Sequence, residues 1–268
     1  MIRTVYKYMP LREEFFQNFL LRATPKHELN DPFEAEPSFE SRAAFHVNSG
    51  FTTMSKEEIV ENLKQRYGAL EAGQRDKSFL NDYGIICFTE TKTNLLMWSH
   101  YADEHRGMAI EFDAEHAFFR SDRQENGLYG KLYKVNYSNV RHYDTPEWFD
   151  WFLRKSHDWR YEAEHRIINE LKECNALKSN GAWYYPPIPN DGLGNDDFSK
   201  LIKEAGSMVF MKVPKPAIIS VTFGAYTTRE KINAVRNAIN NDSELAHVTM
   251  FHIGMNEHSF ELTPKQIE

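Results

Sequence analysis

The sequence contains only two cysteines, Cys87 and Cys174, among its 268 residues. Two cysteines are too few for a disulfide framework, and their separation matches no paired zinc motif. Cys87 stands in the apolar segment GIICFTE and is interpreted as a small core residue. Cysteine chemistry is therefore set aside as the basis of a function.

Long apolar runs and a surplus of basic residues are also missing. No stretch approaches the roughly 18 apolar residues of a membrane-spanning helix, and the first residues, MIRTVYKYMPLREEFF, lack the apolar core of a signal peptide. Acidic residues outnumber basic residues 39 to 32, for a net charge of −7, so general affinity for polyanions is not expected. A soluble cytoplasmic protein without a membrane partner is predicted. Nucleic acid is not expected as a partner, although a protein with a negative net charge can still bind nucleic acid through a local basic groove.

The common nucleotide-binding and hydrolase motifs are absent as well. None of GxGxxG, GxxxxGK[ST] or GxSxG occurs, so the usual dinucleotide, P-loop and nucleophile-elbow interpretations do not apply. The segment HYADEH places His100 and His105 five residues apart, whereas a helical zinc pair needs a spacing of four. No metal is predicted, and the motifs identify no cofactor.

Short strand patterns and helix patterns alternate along the chain. YGIICFTE and GMAIEFD are typical of strands, and SKEEIVENLKQRYGAL begins with a capping box at Ser55 that predicts a helix as far as Leu70. Helical spacing predicts a further helix within LREEFFQNFLLR, at positions 11–22. TPEWFDWFLRKSHDW predicts an aromatic helix capped by Thr145 with Pro146 at its first position.

These patterns predict the α+β class, with a single mixed-sheet domain and surrounding helices over residues 1–268. Residues 175–208 contain a cluster of Pro, Gly and Asn. This composition predicts an irregular surface excursion that is more mobile than its flanks.

Two clusters of polar residues stand in the first part of the chain. Tyr6 and Lys7 lie on the predicted opening strand, where a lysine between tyrosines is typical of a solvent-facing position. The segment NDPFE contains Asn30 and Asp31, which turn formation alone explains. It does not explain Glu34, which is therefore a candidate functional carboxylate.

A third cluster stands in MWSHYADEHRGMAIEFD, which contains Trp98, His100 and Tyr101 ahead of Gly107. On a helix, residues four positions apart share one face, and one residue of each such pair would pack into the core. A structural role for His100 therefore stays open. A glycine beside aromatic and imidazole groups favours a ligand that approaches the backbone.

The fourth cluster is WRYEAEHR, with Glu162, Glu164 and Arg166. Strand alternation predicts that these three side chains share one face with Ile168. Two neighbouring carboxylates raise the pKa of at least one of them unless a cation intervenes, and Arg166 is the local cation. An Arg-paired structural face and a functional carboxylate both stay open.

The order of YKY, NDPFE, ICFTE, LLMWSHYADEHRGMAIEFD and WRYEAEHRII resembles an uncharacterised bacterial family, domain of unknown function 2971, over roughly residues 4–226. The family implies no established activity. Glu162-Ala163-Glu164 is also similar to the Glu-x-Glu of the ADP-ribosyltransferase superfamily, although position 7 is lysine where that superfamily places Arg or His. That similarity implies that Glu164 hydrogen-bonds a ribose, that Trp98 or Tyr101 stacks on a ring, and that NAD is a possible substrate.

Two classes of function are therefore expected. The first is a nucleotide-directed, NAD-type transferase or glycohydrolase, in a toxin or phage-defence setting that the similarity implies, with Glu164 as chief carboxylate beside Glu162 and His100. The second is a sensor module that binds a small nucleotide-like ligand without catalysis. The sequence gives no oligomeric state.

The four clusters are predicted to line one cleft. The residues assigned to substrate binding are Tyr6, Lys7, Asn30, Asp31, Glu34, Trp98, Tyr101 and Arg166. Arg166 is predicted to pair with Glu162 and to leave Glu164 facing the cleft.

Overall fold

A computed structural model describes residues 2–67, 79–121, 130–142, 147–185 and 200–267. Helices and short 3-10 turns surround a large mixed sheet, which confirms the α+β class. The strands are β1 (Thr4–Met9), β2 (Leu20–Pro25), β3 (Tyr83–Thr89), β4 (Met108–Asp113), β5 (Tyr133–Lys134), β6 (Asn136–Tyr137), β7 (Arg154–Lys155), β8 (Glu164–Glu170), β9 (Ala176–Ser179), β10 (Ala182–Tyr184), β11 (Met208–Lys212), β12 (Ile218–Phe223), β13 (Thr249–Met255) and β14 (Leu262–Ile267). The helices are α1 (Phe15–Asn18), α2 (Phe39–Asn48), α3 (Lys56–Tyr67), α4 (Leu95–Tyr101), α5 (Ala117–Arg120) and α6 (Arg229–Asn240).

The main sheet follows the strand order β10-β9-β11-β2-β3-β1-β4-β12-β13-β14. Its pairs are antiparallel except for β12 and β13, which are parallel and are connected through α6. Strand β3 is the branch point, because β8 also pairs with it along its length, from Tyr83 opposite Glu170 to Thr89 opposite Glu164. The late strand that carries Glu164 and Arg166 therefore lies against the centre of the sheet.

Local capping signals fix three of the helices. The capping box of α3 is confirmed, since Glu58 N–H donates to the Ser55 hydroxyl and Ser55 N–H donates to the Glu58 carboxylate. Residues 68–70 of the predicted helix lie outside the described residues. In α4 the Asn94 side chain accepts from the N–H groups of Leu96 and Met97, and in α6 Thr228 caps the first turn.

The predicted helix at positions 11–22 is wrong for most of its length. Only Phe15–Asn18 is helical, and Phe19 adopts a left-handed conformation with a φ of 57°. The chain then continues as β2, which pairs with β11 and with β3. The apolar positions Leu11, Phe15, Phe16, Phe19 and Leu20 match a helical period, but pairing within the sheet outweighs this weak local preference.

The predicted aromatic helix within 145–159 is also wrong. Thr145 and Pro146 lie outside the described residues, and residues Trp148–Leu153 form 3-10 turns. The chain then enters β7, which pairs with β6, before a second stretch of 3-10 turns at His157–Glu162. The extended conformation of β7 is what carries Lys155 into the interior.

The predicted irregular excursion at 175–208 begins with regular structure. Ala176–Ser179 and Ala182–Tyr184 form a β-hairpin, joined by Asn180 and Gly181 with φ angles of 49° and 82°. Asn-Gly with positive φ is the favoured connection of a two-residue hairpin. Residues 186–199 of the excursion lie outside the described residues, and its mobility stays a prediction.

In the part of the chain that the structure describes, no helix combines the length and the apolar character that crossing a membrane requires.

Candidate functional site

Five charged side chains are buried together where β8 begins, namely Glu34, Lys155, Glu162, Glu164 and Arg166. We refer to these residues as the charge cluster. Charged groups are costly to remove from water unless they are paired and hydrogen-bonded. Three carboxylates meet two cations here, so the cluster depends on close ion pairs for its stability.

The members of the charge cluster are positioned by different local structures. Glu34 follows a turn in which Asp31 accepts the backbone N–H of Phe33 at 2.9 Å. Glu162 is the last residue of a 3-10 turn, and Ala163 adopts a left-handed conformation with a φ of 42° before β8 starts at Glu164. The prediction that Glu162 shares a strand face with Glu164 is therefore wrong, because Glu162 lies outside the strand.

Lys155 is the centre of the charge cluster. Its Nζ lies 2.9 Å from Glu34 Oε1, 2.5 Å from Glu162 Oε2 and 3.1 Å from Glu164 Oε2. An ammonium group has three N–H donors, and here each faces a different carboxylate. Although burial opposes the charged form, these carboxylates raise the pKa of Lys155 above its usual value, so the side chain remains a cation.

Arg166 holds the other side of the charge cluster. Its Nε and Nη2 donate to the two oxygens of Glu164 at 2.8 and 2.9 Å, which is a bidentate pair. It also donates to Glu34 and, at 2.6 Å, to the backbone carbonyl of Phe152. The prediction that Arg166 pairs with Glu162 and leaves Glu164 free is wrong, because Glu164 is the partner of both cations.

The two glutamates consequently differ in acidity. Burial would raise the pKa of Glu164, but the charges of Arg166 and Lys155 outweigh burial and hold that pKa well below its usual range. For Glu162, burial prevails over the single cation Lys155, and the pKa is raised. Glu164 is therefore a fixed anion, whereas the environment of Glu162 favours its neutral form more than water would.

The Tyr101 hydroxyl connects Glu162 to the protein surface. The Tyr101 hydroxyl donates to Glu162 Oε1 at 2.5 Å and accepts from Asn30 Nδ2 at 3.2 Å. His100 Nδ1 lies 3.0 Å from the hydroxyl of Tyr161, the residue before Glu162. Asn30 is exposed, so a path of polar groups leads from solvent through Tyr101 to the buried carboxyl group.

The remaining predicted site residues lie at the edge of this arrangement or apart from it. Lys7 Nζ donates to the Cys87 carbonyl at 2.9 Å and interacts electrostatically with Glu164. Asp31 stabilises its own turn. Tyr6 instead donates to Glu111, and Trp98 is a fully buried core residue whose ring packs edge-on against Tyr8. Of the four predicted clusters, the structure thus joins Asn30, Glu34, Tyr101, Glu162, Glu164 and Arg166 through direct contacts.

A cavity of about 330 Å³ adjoins the charge cluster, and Lys155 lines it. Phe33, Trp151, Arg141 and Arg154 also line it, together with the acidic residues Glu36 and Asp158. The buried indole N–H of Trp151 has no hydrogen-bond acceptor among the described residues. Sequence reasoning missed Lys155, Trp151, Arg141 and Arg154. Three of these, Lys155, Trp151 and Arg154, lie in the segment for which the sequence pattern predicts a helix.

The three carboxylates of the charge cluster surround cations of the protein itself. Across the residues that the structure describes, no group of three or more His, Cys, Asp or Glu side chains is placed to hold a metal ion.

The lowered pKa of Glu164 predicts acid sensitivity. Because this pKa lies below the value of about 4.3 for an unfolded glutamate, the pairing of Glu164 contributes fully to stability above that pH. The contribution is lost as the pH falls from there toward the folded-state pKa. We expect urea unfolding to show a larger loss of stability between pH 6 and pH 3 for the wild type than for Glu164→Gln. Equal losses in the two proteins would contradict the prediction.

Residues 97–167 match the model of a family described as Protein of unknown function (DUF2971). The predicted resemblance to that family is confirmed over this range, which extends from α4 into β8 and contains Tyr101 and every member of the charge cluster except Glu34. The comparisons with curated proteins and with solved structures each gave no match.

Proposed function

We propose that the protein is a nucleotide-directed enzyme, an NAD-type transferase or glycohydrolase, in which Glu162 contacts the substrate. The observation that supports this proposal is the environment of Glu162. Its buried carboxyl group lies 2.5 Å from both the Tyr101 hydroxyl and Lys155 Nζ, and burial raises its pKa. Perturbed carboxyl groups of this kind are typical of acid–base catalysis.

The chemistry follows from the bond that would break. Cleavage of the bond between ribose and the positively charged nicotinamide ring sends the bonding electron pair to the ring nitrogen, so the leaving group needs no proton. Water or an acceptor group then forms the new bond at the ribose carbon and loses a proton, which Glu162 accepts. A carboxylate with a raised pKa is a stronger base, and its negative charge also stabilises the oxocarbenium-like transition state.

The cavity beside Lys155 suits the remainder of a nucleotide. Phe33 is 54% exposed and offers an aromatic surface for a base, while Arg141, Arg154 and Lys155 place positive charge at the cavity for phosphate groups. Glu36 and Asp158 also line the cavity. Lys26 and Arg42 each donate to Glu36 at 2.5 Å and offset its charge, and the cations that line the cavity still outnumber these two acids. Trp151 adds an N–H donor that a ligand oxygen would satisfy.

Incubation of the purified protein with NAD tests the proposal in two measurements. The first is the melting temperature, since a ligand present at 100 times its dissociation constant adds about 2.7 kcal/mol to stability. The second is the release of nicotinamide, followed by chromatography with and without candidate acceptors. Stabilisation together with release is the expected result. The absence of both, with NAD and with other nucleotides, would refute the proposal.

A second candidate is a sensor that binds the same nucleotide without chemistry. It is favoured by the pairing of every carboxylate in the charge cluster, since a fully paired group needs a rearrangement before it can act as a base. Stabilisation by NAD without any release of nicotinamide would select this alternative. The toxin or phage-defence setting belongs to the enzyme proposal, through the resemblance to ADP-ribosyltransferases, and predicts growth arrest on overexpression.

A further inference from the structure

A second cavity, of about 440 Å³, shares no lining residue with the charge cluster or with the cavity beside Lys155. It opens between the start of α4 at Leu95, the loop residue His105, Tyr226 after β12, and the turn that joins β13 to β14. A volume of this size is in the range of small-molecule sites.

The loop that carries His105 has an unusual backbone. Asp103, Glu104 and His105 have φ angles of 48°, 49° and 69°, three successive left-handed residues without a glycine among them. Such conformations persist only where the surroundings enforce them, and they concentrate at functional sites and ligand clamps.

Two backbone hydrogen bonds and one close backbone contact hold this loop in its conformation. His105 N–H donates to the Trp98 carbonyl at 3.2 Å, and the His105 carbonyl accepts from Tyr226 N–H at 2.9 Å. Gly224 lies so close that a Cβ atom on it would stand 2.1 Å from the His105 carbonyl oxygen. The His105 wall of the cavity is therefore held rigidly against the strand that leads to Tyr226.

Aromatic and apolar side chains form the rest of the wall. The His105 ring stacks on Trp98 behind it and lies 5.9 Å from the Tyr226 ring. Tyr226 is 57% exposed, Met255 67% and Phe260 97%. Large apolar side chains that remain exposed around a concavity are typical of a binding site.

The wall of this cavity carries two carboxylates and two imidazoles. These belong to Glu257, Glu261, His105 and His258, and the described residues of the wall include neither lysine nor arginine. Burial lowers the pKa of His105, so its imidazole is neutral at pH 7 and does not offset these carboxylates.

From the aromatic walls and acidic rim we infer that this cavity binds an organic cation with apolar substituents, of the quaternary ammonium class. Aromatic faces attract such a cation through their quadrupole, and the carboxylates of Glu257 and Glu261 add a favourable field. The rigid loop lowers the entropy that binding would otherwise cost. The carboxylates of Glu257 and Glu261 would repel an anionic ligand.

Titration with choline and with its uncharged isostere 3,3-dimethylbutan-1-ol tests the inference, with NMR shifts as the readout. Choline is expected to bind about tenfold more tightly than the isostere, because only the cation gains from the aromatic faces. Tyr226→Ala and Glu257→Gln should each weaken choline binding at least about threefold. Phe51→Ala, at an exposed aromatic residue outside the cavity wall, is the matched control and should bind choline normally.

Equal binding of choline and the isostere would overturn the inference, as would the absence of choline binding at millimolar concentrations. Normal choline binding by both Tyr226→Ala and Glu257→Gln would overturn it as well. Circular dichroism of each variant separates loss of binding from loss of fold, and Glu257 is exposed, so its amide variant retains the fold.

Discussion

Replacing Arg166 with methionine is expected to lower the free energy of unfolding by about 3 to 5 kcal/mol, or to prevent folding altogether. Arg166 is fully buried and donates to both oxygens of Glu164, to Glu34 and to the Phe152 carbonyl. Methionine fills a similar volume but leaves three buried carboxylates with Lys155 as their remaining partner within the charge cluster. Chemical denaturation monitored by circular dichroism measures the effect.

Arg106→Met is the matched control for this substitution. Arg106 is half exposed and pairs with the exposed carboxylate of Glu104 at 2.9 Å. Pairs of this kind contribute about 0 to 1 kcal/mol, so the control should stay near the wild type. If Arg166→Met also stayed within about 1 kcal/mol of the wild type, the charge cluster would not depend on this arginine.

The parts of the fold that local sequence signals specify were predictable. YGIICFTE and GMAIEFD became β3 and β4 because short β-prone runs between turn residues have few alternatives. The helix after Ser55 begins at its capping box for the same reason, since the hydrogen bonds that define it join residues three apart.

The connections that build the charge cluster are not local, and no local signal predicts them. Arg166 and Glu34 are 132 positions apart, and Tyr101 and Glu162 are 61 apart. Lys155 lies in the interior because β7 is extended, whereas the surrounding sequence pattern predicts a helix. Polar residues that turns and the core do not explain make Glu34 and Tyr101 candidates for the site, but this signal does not identify the residues that they contact.

The left-handed backbone of Ala163 explains why Glu162 and Glu164 have the opposite roles to those that the sequence predicts. Strand alternation assumes that Glu162 and Glu164 belong to one strand, but the left-handed Ala163 separates a 3-10 turn from β8. Glu164 consequently faces Arg166 within the strand, and Glu162 faces Tyr101 on α4. Glu162 therefore has the raised pKa, whereas the Glu-x-Glu analogy predicts that Glu162 belongs to a structural pair with Arg166.

Substituting Glu162 with glutamine is expected to reduce turnover of the substrate by about 10²- to 10⁴-fold, the usual contribution of a general base. This prediction depends on the enzyme proposal. The amide cannot accept a proton from water. Its oxygen can accept from Lys155 while its N–H group donates to the Tyr101 hydroxyl oxygen, so both contacts can be kept. Because burial disfavours the charged form of Glu162, and because Glu34 and Glu164 still pair with Lys155, the neutral side chain should lower the melting temperature less than Glu164→Gln does.

Glu164→Gln supplies the matched comparison, because it makes the same chemical change two residues away. Glu164 is a fixed anion between Arg166 and Lys155, so its amide should lower the melting temperature well below that of Glu162→Gln. Nicotinamide release and thermal stabilisation by NAD, measured on both variants, separate the two roles. Glu162→Gln should keep the stabilisation and lose the release, since a catalytic base affects turnover more than affinity. Full turnover by Glu162→Gln, or its failure to fold, would show that Glu162 is a structural carboxylate.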